Sequence, residues 1–511
     1  MAIFDPKPSE VPAVDAFGAI LATDPVLGDE MAGDIDSSVE EDNPTMVETF
    51  EPSLVDAILC EARITPESEG YEVAKRGARA LLTELLVSGT GTDGPDRVSA
   101  DILIAAIDDK VSRQVDTVLH HAEFRRLESA WRGLRFTVDR TDFGHNCKIE
   151  LLNVSRQDLV ADFQDAAEVT KSGLYAIVYT AEFGTFGGKP YAVIFADYEF
   201  GPGPRDLRLL CECAEVAALA HVPLLGAAAP QFFGGTNYSV LPSLHDLRAI
   251  FEGPKNMKWL MFRDTPDARY VGLLLPRFLL RTPYDPFGRP TRAFNYEENV
   301  DSDEDAYCWG NAIYAFATRV ADSFVKFGWC LNVVGSRAGA LERDFPTDVI
   351  ISERLEFELS REGFIPLTFE RQDNSACFLS ANSAQKPRTF GQSKEAREAE
   401  LNYRLGTQLP YLFVVCRIAH YLKVLQREQV GTWKTRLELE SELNNWIGEY
   451  VVDMDAVTPA VRSQRPLRQA QIRVEDVPGK AGWYKIDMKV RLHFKYMGAS
   501  FTLNLVGKLD K

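Results

Sequence analysis

Two glycine-rich loops are the first places where this chain could hold a phosphate. Gly89-Thr90-Gly91-Thr92-Asp93-Gly94 matches the GxGxxG spacing of dinucleotide sites. Such a site needs a strand before the loop, so that the next helix aims its N-terminus at the pyrophosphate. Here a helical pattern precedes the loop and Pro95 follows it, which predicts a helix–helix connection instead. Gly184-Thr185-Phe186-Gly187-Gly188-Lys189-Pro190 is one residue short between its glycines for a phosphate loop. Pro190 stands where a hydroxyl should meet magnesium, and it lacks the N–H that a phosphate cradle requires. A hairpin turn between two strands is the expectation there.

Metal and nucleophile chemistry fare no better. His120, His121 and Glu123 combine imidazole and carboxylate, but adjacent helical residues point to different faces and do not readily share an ion. Cys211-Glu212-Cys213 lacks the two-residue gap of common zinc and redox pairs. There is no HExxH, no GxSxG, and only 7 His in 511 residues. The sequence therefore speaks for structure and assembly rather than catalysis, with no cofactor, metal or catalytic residue expected. Eight scattered Cys, mostly among apolar neighbours, suggest reduced thiols in a cytoplasmic protein.

The surrounding elements read as mixed α/β. Period-3.6 patterns over Ser53–Cys60, Glu72–Val87 and Ser99–Leu119 predict a helical N-terminal region over 51–135. An α/β core is expected over 136–390. Its first elements are a strand at Cys147–Leu152, a helix at Ser155–Ala167 capped by Ser155, and β-rich runs at Leu174–Thr180 and Tyr191–Tyr198. A helix at Arg205–Ala220 and a strand at Val222–Ala228 complete a βαβ unit, which implies a parallel pair with a right-handed crossover. Residues 391–470 return to helix, with Glu395–Glu428 broken near Pro410. Lys434–Val451 is amphipathic: Leu439, Leu443, Trp446 and Tyr450 share one side, while Arg436, Glu438, Glu440, Glu442, Asn445 and Glu449 share the other.

The sharpest local signal is at the C-terminus, over 471–511. Tyr484, Ile486, Met488, Val490, Leu492, Phe494 and Tyr496 alternate with polar residues. Strict period two over that length is a strand with one wet face, roughly 40 Å long. Gly498 supplies a turn, and Phe501, Leu503 and Leu505 alternate back. A bare hairpin has two open edges, so strands from other chains are expected to join it, although an edge hairpin of the main sheet is an alternative. Ile472–Gly482, with Pro478, Gly479 and Gly482, is expected to be its hinge. Lys485, Lys489, Arg491 and Lys495 would form a basic face on the strand.

Charge is concentrated at the other end. The chain holds 75 acidic and 56 basic residues, a net charge of −19. Met1–Cys60 carries fourteen Asp and Glu against the single Lys7, a net −13. Residues 1–50 therefore read as an acidic flexible arm that buries too little apolar surface to order alone. Such a balance argues against sequence-independent nucleic-acid binding. The start lacks a secretory pattern, and Val216–Leu244, though free of Asp, Glu, Lys and Arg, holds too many Pro and Gly for a membrane span.

Three segments together carry a family resemblance. They are His121-Ala122-Glu123-Phe124-Arg125-Arg126-Leu127-Glu128-Ser129-Ala130-Trp131-Arg132-Gly133-Leu134; Tyr198-Glu199-Phe200 with its Gly-Pro turn and helix; and Leu409–Phe413 with Arg417–Lys423, Leu443–Ile447, Arg465–Leu467 and the terminal hairpin. In this order the chain resembles the large sheath subunit of bacterial type VI secretion systems, the TssC, VipB or EvpB family. The likeness covers about residues 60–511.

The resemblance implies a contractile-sheath fold and a structural subunit with no catalysis of its own. It would pair with a small sheath subunit of the TssB or VipA kind and stack with further copies of itself in a helical sheath. That sheath would surround an inner Hcp tube, seat on a baseplate, and be recycled by a ClpV-type AAA+ ATPase reached through the small subunit. Contraction would propel tube and spike for effector delivery, from a cytoplasmic, envelope-anchored apparatus without direct membrane insertion. The resemblance also implies β-augmentation at the C-terminal hairpin. Phe124, Leu127, Trp131 and Leu134 share one helical face, for core packing or for the small subunit. Arg436, Glu438, Glu442 and Glu449 are candidates to face the inner tube. A single-chain phage-tail-like sheath or an α/β enzyme are the competing readings.

Overall fold

The computed structural model describes residues 54–508 apart from 63, 68–69, 89–96, 186, 292–293, 301–305, 344, 371–374, 392, 430–435, 454–458, 477–483 and 494–502. The expected acidic arm, the GxGxxG loop, Lys495 and the strand residues Phe494, Tyr496 and Phe501 lie outside the described residues. Helices of two turns or more are numbered below. The chain divides into a unit ending at Val111 and a second unit from Ser112 onward.

The first unit contains α1 (Leu54–Glu61), α2 (Tyr71–Ser88) and most of α3 (Arg97–Leu119). All three fall where the periodicity puts them. Asp56 on α1 accepts from Tyr71 Oη at 2.8 Å and pairs with Lys75 Nζ at 2.8 Å on α2. The two helices are therefore tied by charge as well as by buried Val55 and Leu59.

The second unit continues with α4 (Ala122–Asp139) and α5 (Arg156–Asp165). Ser155 caps α5 in a full capping box with Asp158. Then β1 (Ile194–Phe200), α6 (Pro204–Ala220) and β2 (Leu224–Ala228) form the expected βαβ unit, with β1 and β2 parallel. The main sheet runs β1-β2-β3-β7-β8-β6, with β3 at Val271–Leu275, β6 at Ala340–Arg343, β7 at Phe364–Phe369 and β8 at Ser375–Phe378. A short pair, β4 (Phe278–Arg281) and β5 (Cys308–Gly310), stands apart from it.

Central strands are apolar on both faces because both are covered. Leu224, Leu273, Leu275 and Phe364 pack with α6 and the Phe232, Phe251, Trp259 cluster on one side. Leu225, Leu274, Ile365 and Leu367 pack on the other against α7 (Ala312–Phe327) and α10 (Leu409–Gln429). Between them in sequence come α8 (Glu353–Arg361) and α9 (Lys394–Gly406). Helix α10 is apolar nearly all round because it serves two cores. Leu409, Leu412, Phe413 and Cys416 face the main sheet, while Tyr411, Val414, Val415, Ile418 and Leu422 face a C-terminal core. That core is completed by α11 (Arg436–Gly448) and the sheet β11-β10-β9, with β9 at Leu467–Asp476, β10 at Tyr484–Leu492 and β11 at Leu503–Lys508.

Four local expectations are corrected. Cys147–Leu152 is not a strand; Leu151 and Leu152 are exposed and, among the described residues, no strand pairs with them. Leu174–Thr180 is helical rather than β. Ser172 caps the turn, Asp162 accepts from the N–H groups of Gly173 and Leu174, and Leu174 and Val178 are buried four residues apart. Packing against α6 overrides β-propensity there. The Gly184–Pro190 segment accordingly follows a helix and is no hairpin turn. Finally, Ile472–Asp476 is not hinge but the end of β9, which runs through the expected boundary at 470/471 and pairs antiparallel with β10 from Tyr484↔Asp476 to Leu492↔Leu467. The hairpin thus has a third strand from its own chain.

Candidate assembly surfaces

Helix α4 is built with two working faces. Its inner face is small and polar where it meets α7 and β5. A Cβ on Gly133 would lie 2.3 Å from Tyr314, Ser129 Oγ donates to the Trp309 carbonyl at 2.7 Å, and Thr137 Oγ1 donates to the Gly133 carbonyl at 3.1 Å. The opposite face carries Phe124, Leu127, Trp131, Leu134 and Val138 at alternating spacings of three and four. That is the seam pattern of a helix that packs on another helix. Phe124 is 38% exposed, Leu127 56%, Trp131 59% and Val138 38%, with Leu134 half-buried. The four predicted residues therefore do share a face, and that face points out of the fold instead of into the core.

A buried charge cluster fixes α4 from one flank. Arg281 at the end of β4 reaches Glu128 at 2.8 Å and Glu298 at 2.5 and 3.0 Å, and Glu128 also pairs with Arg132 at 2.6 Å. The side chains of Arg281 and Glu298 are 2% and 1% exposed. Glu298 further accepts from the Tyr284 N–H at 2.9 Å and lies 3.3 Å from His120 Nε2. Burial opposes charge on both carboxylates, yet the Arg281 guanidinium holds Glu128 and Glu298 below the usual range. Arg281 itself is pushed up: burial opposes its charge, but the hydrogen bonds to Glu298 and Glu128 outweigh that. The cluster was missed in sequence reading; the one available signal was an arginine closing the apolar run Phe278-Leu279-Leu280.

The C-terminal sheet divides its residues as the alternation predicts. Ile486, Met488, Val490 and Leu492 are buried in the C-terminal core. Register sets Leu505 opposite Met488 and Leu503 opposite Val490, while Tyr484 lies opposite Asp476. Lys485 pairs with Asp487 at 3.2 Å on the polar face. Helix α11 buries Leu439, Leu443 and Ile447 beneath the sheet. Its neighbouring stripe reaches the backbone of β9. Asn444 Nδ2 donates to the Ile472 carbonyl at 2.8 Å, and the Ile472 N–H donates to Asn444 Oδ1 at 2.9 Å. The Val474 N–H donates to Glu440 Oε2 at 2.9 Å, and Arg436 Nη1 donates to the Val474 carbonyl at 3.0 Å. Arg436, expected on a tube-facing surface, is thus engaged with β9, whereas Glu438, Glu442 and Glu449 are exposed.

Of the chemistry-bearing residues, Cys211 is exposed and Cys213 buried, so their thiols do not converge. Among the described residues, no group of three or more His, Cys, Asp and Glu is placed to hold a metal, and no helix is long and apolar enough to cross a membrane.

Two family models and one relative by sequence agree on one family. The family model described as EvpB/VC_A0108, tail sheath N-terminal domain, matches residues 101–385, and that of the tail sheath gpW/gp25-like domain matches residues 398–509. The type VI secretion system sheath protein TssC1 of Pseudomonas aeruginosa is 35% identical over 466 residues, covering 87% of this chain and 93% of that protein. Two solved structures share a looser likeness at 10% identity. A sheath tail protein from Desulfitobacterium hafniense has a TM-score of 0.29 over 59% of this chain and 60% of that one. A chain of the anti-feeding prophage baseplate has a TM-score of 0.32 over 72% and 80%.

Proposed function

Because this chain belongs to the VipB/EvpB family of type VI secretion tail-sheath proteins, we propose that it assembles with a TssB-like small subunit around an inner Hcp tube. The outward seam of α4 carries this reading. An apolar stripe two heptads long, held rigidly by Gly133 and Arg281, is costly in water and suits a partner helix. The small subunit is that partner.

In this reading the C-terminal sheet links protomers. A strand from a neighbouring chain joins it through main-chain hydrogen bonds, a connection that tilts without breaking. Ile486, Met488, Val490 and Leu492 hold the acceptor sheet on its own core, and the strand that carries Leu503 and Leu505 receives the newcomer. Exposed Glu438, Glu442 and Glu449 face the inner tube, where screened charge contacts permit release. The extended sheath is the metastable state. Close-packed interfaces have discrete arrangements, so contraction switches them without nucleotide hydrolysis in this chain. A ClpV-type ATPase, acting through the small subunit, recycles the contracted sheath, which is seated on a baseplate in the cytoplasm and anchored at the envelope.

Co-expression with the small subunit, followed by electron microscopy, tests this. Striated hollow tubes are expected; discrete globular particles would overturn it.

A further inference from the structure

The outer edge of β9 is already occupied. Strand order places β9 at the end of its sheet, with β10 on one side only. Ile472 and Val474 are two apart, so their N–H and C=O groups point the same way, away from β10. Four side-chain hydrogen bonds from Arg436, Glu440 and Asn444 meet them. These three residues are four apart on α11 and so lie along one stripe, rising about 6 Å per step, while alternate strand residues rise about 6.6 Å. The two periods nearly match, which lets a helix serve successive strand positions. Asn444 supplies a donor and an acceptor to one residue, as a paired strand residue would; Glu440 and Arg436 together do the same for Val474. At its start, β9 is closed by chain instead of side chains: Val452 N–H donates to the Leu467 carbonyl at 2.9 Å, and Leu467 N–H to the Tyr450 carbonyl at 3.3 Å. At the other end of the sheet, β11 pairs with β10, and among the described residues no strand pairs with its second edge.

We infer that α11 acts as a stand-in strand that closes the β9 edge, so that strand addition by a neighbouring chain occurs on the β11 edge alone. This rests on the proposal that the sheet is augmented. An open edge on each side would let subunits add strands in two directions, a hazard that proteins blunt by covering one edge. With β9 covered, the sheet has one docking side and one direction of growth.

The test uses the full chain. The double variant Glu440→Leu, Asn444→Leu keeps helix-forming residues but removes three of the four bonds. Hydrogen exchange of peptides spanning 467–476 is expected to quicken about tenfold or more, and unchanged exchange would overturn the inference. A synthetic peptide copying residues 500–509, bearing a photo-crosslinker, should label 467–476 in the double variant and not in the wild type. Labelling of that segment in the wild type would show an open edge and overturn it equally. Should the double variant fold poorly, Asn444→Asp keeps the acceptor and loses the donor, and an intermediate exchange rate is expected. Failure of the sheath reading is read separately, as wild-type chain that forms no tubes with its small subunit.

Discussion

Tyr314 lies so close to Gly133 that a β-carbon there would sit 2.3 Å from its ring. Its hydroxyl donates to Asp197 on β1 at 2.8 Å, which fixes it against the helix. The absence of a side chain at one position therefore decides how closely α4 approaches α7.

Gly133→Ala gives a prediction whose sign is diagnostic. Helix propensity alone would stabilise the protein by up to about 1 kcal/mol. Overpacking against a pinned ring costs about 1–3 kcal/mol, so net destabilisation is expected in urea unfolding. A higher midpoint would mean that Tyr314 yields.

Trp131→Ser and Leu127→Ser separate partner binding from folding. Both side chains are more than half exposed, so the stability of the isolated chain should shift by no more than about 0.5 kcal/mol. Affinity for the small subunit should drop by about 2 kcal/mol or more, roughly thirtyfold, if the seam is the central contact. Titration calorimetry that returned wild-type affinity would place the small subunit elsewhere.

Arg281→Met removes the shared partner of two buried carboxylates. Leaving Glu298 and Glu128 uncompensated should cost about 3–5 kcal/mol. The loss should appear in urea unfolding and as faster amide exchange in α4. A change under 1 kcal/mol would show that the carboxylates find water or other partners.

Acid sensitivity is expected from two histidines between α6 and α10. His420 is buried with Nε2 donating to the Ala220 carbonyl at 3.1 Å, and burial pushes its pKa well below normal. Burial likewise takes His221 down to about 3. Depressed folded values mean that the stability is fully present above about pH 6.5 and is lost as pH falls toward the folded values. His221→Asn suits the left-handed backbone at φ 55°. It should lower the slope of stability against pH below 6.5 by up to one proton, about 1.4 kcal/mol per pH unit. An unaltered slope would mean that His221 protonates freely in the folded chain.

Local sequence determined those elements whose signals are local. The cap at Ser155, the turn and helix leading from β1 to β2, and the alternation of Ile486, Met488, Val490 and Leu492 all depend on neighbours within a few residues. Periodicity also showed that Phe124, Leu127, Trp131 and Leu134 share a face. It could not say whether that face turns inward, because the opposing ring of Tyr314 lies 181 residues beyond Gly133. The same holds for 174–181, where β-rich residues are helical under long-range packing, and for β9, whose Arg- and Gln-rich pattern becomes a strand only beside β10. Arg281 meets Glu128 across 153 residues, and Asn444 meets Ile472 across 28. A residue pattern records which side chains share a face, whereas burial depends on what the rest of the chain brings to that face. Only the tertiary structure decided that the apolar side of α4 turns outward and that side chains of α11 meet the outer backbone of β9.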